Sequence, residues 1–311
     1  MRKIELTVLM ASRNGERVLP RTLGQYCEIE SAGVAWKLVI VDNGSTDSTA
    51  DVIDSFKKHL PIDVLQQSIP GKNRALNTGL AAVEGRLAVI TDDDAIPHPG
   101  FLAAWGTFLD SRPEYELFGG SIEPLFEVPP PTWMLRSRQL RALMFSERDL
   151  PEGPTSAGEI YGPNMAVRAS IFSRGFRFDE NIGPNASEPD YPMGGESDFC
   201  HRVASSSAKC WFASQARVFH VVRPAQLSSA GWANRAYRCG RGLAHQMWQR
   251  GELYVVPTPS LTDRLGALSP FARHRLTSLC ARHLARGFRD ECARRLSRTP
   301  GYSSQFHPAG P

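Results

Sequence analysis

The chain has 311 residues, a net charge of +4 at pH 7, and 41% hydrophobic and 22% charged residues. That is the profile of a globular protein with room for one large domain plus an appendage, or for two modest domains; it excludes a disordered or fibrous chain. The charge is uneven: nine Arg and no Lys between Leu261 and Pro311 face only Asp263, Asp290 and Glu291, so any attraction to anionic surfaces belongs to the tail, and no nucleic-acid partner is expected.

Ile4 to Ala11 reads as a buried strand ended by Ser12-Arg13-Asn14-Gly15, and Val18, Leu19 and Leu23 then fall at helical spacing. Trp36 to Val41 is a second apolar run. Asp42-Asn43-Gly44-Ser45-Thr46-Asp47 follows it without a gap, and Ala50, Ile53, Phe56 and Leu60 restore a helical period. Ile62 to Leu65 is a short third strand. Gly71-Lys72-Asn73-Arg74 opens a helix with Ala75, Leu76, Leu80 and Val83 on one face, and Leu87 to Thr91 is a fourth strand that runs straight into Asp92-Asp93-Asp94. Strands alternating with helices predict βαβ units and a mostly parallel sheet, in which ligands bind outside the carboxyl ends of the strands.

Three carboxylates at such an end repel one another. Two readings explain them: hard oxygen ligands for Mg²⁺ or Mn²⁺, or an acidic turn capping the helix that begins near His98 or Pro99. Asp42 either accepts hydrogen bonds from a ligand amide or caps a helix, a task for which Asp47 is better placed. Lys72 and Arg74 either meet phosphates or are solvated helix-start charges. Neither G-x-G-x-x-G nor G-x-x-x-x-G-K-[ST] occurs, which disfavours a dehydrogenase or a P-loop NTPase.

Further on, Phe101, Leu102, Trp105 and Phe108 mark an amphipathic helix, Glu116 to Ile122 a strand, Trp133 to Arg148 a helix, and Leu150 to Gly158 a loop that is either a mobile lid or a surface excursion. Tyr161-Gly162-Pro163 turns into a short strand at Asn164 to Arg168. Gly194-Gly195-Glu196-Ser197-Asp198 starts a helix; its glycines admit a close backbone approach, and its acids suit the positive end of the helix dipole. Trp211 to Ala213 and Ala216 to Val222 read as two strands, the second carrying His220, either a core histidine or a metal ligand. A long helix from Gln226 to Arg250 presents Arg235, Arg238 and Arg241 as a basic face. Pro270 to Arg298 is a basic amphipathic helix, suited to an anionic membrane, a second subunit or its own core. Six scattered cysteines without C-x-x-C argue against a zinc ribbon or a disulfide framework. No signal peptide or membrane span is expected, so a cytoplasmic location follows, with peripheral contact at the inner membrane face as a variant.

Read together, Val39 to Asp47, Gly71 to Gly79, Thr91 to Pro97, and Gly194 to Phe199 with Arg202 resemble, in order and spacing, the motifs of a family 2 glycosyltransferase with the GT-A fold; Asn164 to Arg168 and Val218 to His220 also match. The similarity covers Ile4 to Arg241. It implies an α/β GT-A, Rossmann-like domain over 1–224, with a mostly parallel central sheet flanked by helices. Within it, about 1–97 form the nucleotide-sugar half and 98–224 the acceptor and catalytic half, followed by a C-terminal helical extension at 225–311. The family often shows Glu-Asp where this chain has Gly195-Glu196, and alignment on Arg202 puts Glu196 in the base position.

The resemblance implies an inverting transfer from a nucleoside-diphosphate sugar, with Glu196 as general base supported by Asp198. Ser12, Asn14, Asp42, Asn43, Lys72, Arg74, Asp92, Asp93, Arg238 and Arg241 would serve the donor, Asp42 holding the base, uracil by expectation. Asp94, Asp92 and His220 would hold Mg²⁺ or Mn²⁺, with Asp93 as the dispensable spacer, and Asn164 and Trp133 would lie on the acceptor side. Partners are then a nucleotide sugar, a saccharide, lipid-linked or small-molecule acceptor, and a second copy of the chain or a membrane at the basic helix. The alternatives are a non-catalytic nucleotide-sugar-binding protein and a sugar-1-phosphate nucleotidyltransferase; the latter needs a glycine-rich basic loop that Ser12-Arg13-Asn14-Gly15 does not supply.

Overall fold

A computed structural model of the chain describes residues 3–136, 138–252 and 272–297. Its backbone divides into two units, Met1–Ser187 with Gly195–Pro224, and Glu188–Gly194 with Ala225–Pro311.

The first unit is built on nine strands: β1 Leu6–Ser12, β2 Trp36–Asp42, β3 Ile62–Gln66, β4 Leu87–Asp92, β5 Ala95–Pro97, β6 Leu117–Phe126, β7 Gly153–Thr155, β8 Asn164–Arg168 and β9 Cys210–Val222. They form one sheet in the order β3-β2-β1-β4-β8-β6-β9-β5, with β7 on β9. The β3-β2-β1-β4 half is parallel, and β8 and β5 join antiparallel, so the sheet as a whole is mixed. The helices are α1 Leu19–Glu28, α2 Thr49–Phe56, α3 Lys72–Gly79, α4 Phe101–Ser111, α5 Thr132–Leu135, α6 Arg138–Phe145, α7 Ala169–Ser173 and α8 Gly195–Ala204.

Alternation along the strands sorts the core into two layers. Leu6, Val8, Met10, Leu38 and Ile40 pack with Leu19, Leu23 and Trp105 on one face. Leu9, Val39, Val41, Ala88 and Ile90 pack with Leu76, Phe199 and Val203 on the other. α3 and α8 therefore share a face, which brings Lys72 and Glu196 to the same side of the sheet. The last carbonyls of α4 have no partners within the helix; the Arg168 guanidinium, at the end of β8, donates to those of Phe108 and Leu109 and to that of Arg112, which follows the helix.

Three expectations shift. The helix read from Trp133 to Arg148 is two short pieces, α5 and α6, after which Arg148 forms an isolated bridge with Ile122. The loop from Leu150 to Gly158 is stitched down, since β7 pairs with Cys210–Phe212 of β9. The two strands around Ser214 are one, β9, whose register against β6 shifts at Gly120/Ser121.

The second unit holds α9 Ser229–Gln249 and α10 Ala272–Leu296. A Cβ on Gly240 would collide with the Leu284 carbonyl and one on Gly287 with the Tyr237 carbonyl, so the two helices cross backbone to backbone. Ala285, Phe288 and Cys292 of α10 are buried there: the apolar stripe of the basic helix packs on its own chain. Among the described residues no helix is long and apolar enough to cross a membrane. The last eleven residues, read as fraying, lie outside the described ones.

Candidate active site

Parallel register places Ser12 opposite Asp42 and Ala11 opposite Asp92, so the polar turns after β1, β2 and β4 open on one edge. Asp42 Oδ1 receives the Ser45 N–H at 2.9 Å. Asn14, at φ +52, a conformation Asn tolerates better than most residues, receives the Thr46 N–H at 2.8 Å. Asn43 Nδ2 donates to the Gln67 and Ile69 carbonyls at 2.8 and 2.9 Å, and its Oδ1 accepts the Gly71 N–H at 2.8 Å. Both ends of that amide are engaged, so Asn43 braces neighbouring turns of the edge where it was expected to serve a donor.

Oxygens of Asp92 and Asp94 and a ring nitrogen of His220 lie within 4.8 Å of one another. The pairing of Ala95 with His220, and a hydrogen bond from the Val221 N–H to the Asp94 carbonyl at 3.0 Å, bring the last strand to the acidic turn. His220 Nδ1 sits 3.1 Å from the Phe145 carbonyl. Nε2 stands 3.5 Å from Asp94 Oδ1; with its proton it supports that carboxylate, and without it Nε2 is a ligand for a cation. Two carboxylates and an imidazole steadied from behind fit a divalent cation of the Mg²⁺ and Mn²⁺ class. Arg223, three residues after His220 and marked by no motif, donates to Asp94 Oδ2 at 3.0 Å.

Electrostatics differentiates the three aspartates. Burial pushes Asp94 up, but His220 and Arg223 outweigh it and hold the carboxyl below the usual range. At Asp92 burial prevails over the Lys72 charge and the pKa is raised. Burial, with the charge of Asp94, pushes Asp93 up to about 7. Asp93 is no mere spacer: its Oδ2 accepts the Ser12 hydroxyl at 2.6 Å and its carbonyl accepts the Thr22 hydroxyl at 2.7 Å, tying the turn to β1 and α1.

The Lys72 ammonium stands 2.5 Å from Asp92 Oδ1 and 2.5 Å from Glu196 Oε1. Burial alone would lower its pKa; the two carboxylates reverse that and keep it charged. At Glu196 burial raises and Lys72 lowers, and Lys72 prevails, leaving an ionised carboxylate. A Cβ at Gly162 would stand 2.5 Å from Glu196 Oε1, so glycine there leaves room for the carboxylate. Asp198 is buried and accepts from Arg202 Nε at 2.8 Å, one turn along α8.

The glycines before Glu196 serve the protein rather than a ligand at residue 195: a Cβ on Gly195 would collide with the Asn73 amide. Asn164 is wholly buried, its Nδ2 donating to the Ser121 and Ala216 carbonyls at 2.9 and 2.8 Å. It bridges β6 and β9 at their irregularity. Arg74 pairs with Glu180 at 3.0 Å, and Trp133 is half-buried on α5. Arg238 and Arg241 belong to the helical unit. Arg238 lies over the Tyr191 ring at 4.7 Å. Arg241 is buried against Glu188 and Glu291, so the expected basic stripe fails there: its guanidinium is engaged within its own unit.

Chemically, the sheet unit holds an ionised carboxylate one ammonium away from an Asp-Asp-His group of the kind that fits a divalent cation. Curated relatives match parts of it. Beta-monoglucosyldiacylglycerol synthase of Synechocystis sp. is 30% identical over 95 residues, 29% of this chain and 20% of that protein. Dolichyl-phosphate beta-glucosyltransferase ALG5A of Trichomonas vaginalis is 30% identical over 99 residues, 29% of this chain and 31% of that one. The chain thus covers 20–31% of the length of these relatives. In fold it is similar to S. aureus TarS 1-349, with a TM-score of 0.54, 13% identity, and coverage of 96% of this chain and 93% of that one. It is also similar to the mannosyltransferase PcManGT from Pyrobaculum calidifontis in complex with GDP-Man and Mn²⁺, with a TM-score of 0.62, 16% identity, and coverage of 94% and 88%. The fold is GT-A. From β1 to just beyond α7, residues 7–176 match the model of glycosyl transferase family 2, and the chain belongs to that family.

Proposed function

We propose that the chain moves a sugar from a nucleoside-diphosphate donor, UDP-linked by preference, to an acceptor hydroxyl, with inversion at the anomeric carbon. The observation that carries this reading is the Lys72 bridge, one ammonium touching both Asp92 of the cation-binding turn and Glu196 at the start of α8. A leaving diphosphate and an attacking hydroxyl need opposite help, negative charge stabilised on one side and a proton removed on the other; the bridge couples groups suited to each.

In this reading the turns at Ser12, Asn14 and Asp42 receive the nucleoside. Lys72 stabilises charge on the departing diphosphate. Glu196 takes the proton from the acceptor hydroxyl as its oxygen attacks, an effect worth about 10²–10⁴-fold, while Asp198 and Arg202 steady its helix turn. Asp92, Asp94 and His220 would hold Mg²⁺ or Mn²⁺, which when bound supplies Lewis-acid stabilisation of the leaving group. The names of the Synechocystis and Trichomonas relatives refer to diacylglycerol and dolichyl phosphate, which supports a lipid or lipid-linked acceptor beside saccharides and small molecules.

The test is Glu196→Gln, assayed with a panel of nucleotide sugars in Mn²⁺. The variant is expected to keep the thermal shift that the donor produces and to lose transfer by about 10²-fold or more. Turnover at the wild-type rate would remove Glu196 from the base role.

A further inference from the structure

Asn73 is the second residue of α3, beside Lys72, and is buried. Its Nδ2 donates to the carbonyls of Asp179 at 2.7 Å and Ile182 at 2.8 Å, and the neighbouring Lys72 N–H donates to the Pro184 carbonyl at 2.8 Å. The start of α3 thus grips the loop that follows Phe178. With both Nδ2 protons in use the amide has no freedom to turn over, and Oδ1 is left buried without a hydrogen-bond partner among the described residues. Buried acceptors are nearly always paired, so an orphan asks for a reason.

The reason lies at α8. A Cβ on Gly195 would collide with Asn73 Nδ2 and stand 2.9 Å from Oδ1; one on Gly183, whose φ is +98, would stand 3.3 Å from Oδ1. The flat face of the amide is where two glycine backbones rest. One of those glycines is the first residue of α8, and the next is Glu196.

We infer that Asn73 is a positioning residue: its amide sets how closely the first turn of α8 approaches the start of α3, and so where the Glu196 carboxylate stands against Lys72. The geometry is independent of the activity; the catalytic consequence rests on the glycosyl-transfer reading. A misplacement of about 1 Å at a reacting group is able to cost on the order of 10²-fold in rate, so a gauge of this kind acts on kcat rather than on donor binding.

The experiment is a double-mutant cycle of Asn73→Ala and Gly195→Ala, measured by thermal unfolding without substrate and by kcat and donor KM with nucleotide sugar and Mn²⁺. Gly195→Ala is expected to lower kcat by about 10- to 100-fold with donor KM nearly unchanged, and to lose most of that effect in the Asn73→Ala background, where the colliding amide is gone. Wild-type kcat in Gly195→Ala, or effects on kcat that simply multiply, would overturn the inference even where unfolding shows the two sites coupled. If Gly195→Ala does not fold, Asn73→Ser carries the test: a lowered kcat at constant donor KM supports the inference and an unchanged kcat overturns it. If the wild type turns over no nucleotide sugar the functional reading falls, while the unfolding cycle still decides whether Asn73 and residue 195 are in contact.

Discussion

In the helical unit, Arg241 donates to Glu291 through Nε and Nη2 at 2.9 and 2.7 Å and to Glu188 through Nη1 at 2.8 Å, and Arg295 closes on the other oxygen of Glu291 at 2.9 Å. In the sheet unit, Asp92, Asp93, Asp94 and Glu196 are gathered around Lys72, Arg223 and His220. The first is buried at Arg241 and Glu291, and the second is largely buried at Lys72, Asp92 and Glu196. In the first, Arg241, Arg294 and Arg295 leave neither Glu188 nor Glu291 without a guanidinium partner, and the cluster asks for nothing more. The second holds more carboxylate than cation, and burial, with the neighbouring carboxylates, raises the pKa of Asp92 and of Asp93. Burial alone does not tell the two clusters apart; charge balance does.

The distinction breaks or sharpens under substitution. Arg241→Met would leave Glu291 buried without its main partner, and urea unfolding should register a loss of about 3–5 kcal/mol, most of it recovered when Glu291→Leu is added. A loss below about 1 kcal/mol would place the stability of that unit elsewhere. Asp92→Asn should do the reverse, since burial raises the pKa of that carboxyl in the fold and its charge works against stability. Transfer is expected to fall by about 10²–10³-fold, while Tm holds or rises because like charges have been thinned, and chelation of the wild type should reproduce the loss of activity. A Tm drop matching that of Arg241→Met would erase the contrast.

Two smaller tests bound it. Gly287→Ala drives a methyl group into the Tyr237 carbonyl and should cost about 1–3 kcal/mol as an overpacking strain, read as a shift in Tm with kcat unchanged. Arg74→Ala removes a half-exposed pair with Glu180 and should change stability by less than about 1 kcal/mol. A tenfold rise in donor KM would return Arg74 to the donor side.

The groups that sit where an apolar strand stops were legible from the sequence. Asp42 and Asp92 each follow a run of buried residues directly, with Asp94 two residues further on, and a polar break after a buried strand is a local signal. Glu196 and Lys72 were legible as helix starts, although nothing local says they meet across 124 positions. Asn73, Gly162 and Arg223 were not legible as site residues, because each acts through a partner remote in the chain. Asn73 reaches its carbonyls across 106 and 109 positions, and Gly162 matters only because Glu196 happens to lie over it. The same blindness explains Asn43, Asn164 and Arg241. A polar residue in a motif or on a helix face looks free until the carbonyls or acids that engage it are known. In the fold, the parallel β1 to β4 half followed from local periodicity; the antiparallel insertion of β8 and the single bulged β9 depend on pairings between distant segments.

The short excursion Glu188–Gly194, counted with the helical unit although it precedes Glu196 in the chain, bears on how this architecture is inherited. Glu188 is held there by Arg241 and Arg294 at 2.8 and 3.0 Å, and the Met193 backbone fills the space that any side chain at Gly242 would need. The helices are therefore not a module that recombination is free to exchange at one junction. A chimaera joined after Pro224 would unite a loop from one ancestor with a helix pair from another, and both must change together for the splice to hold.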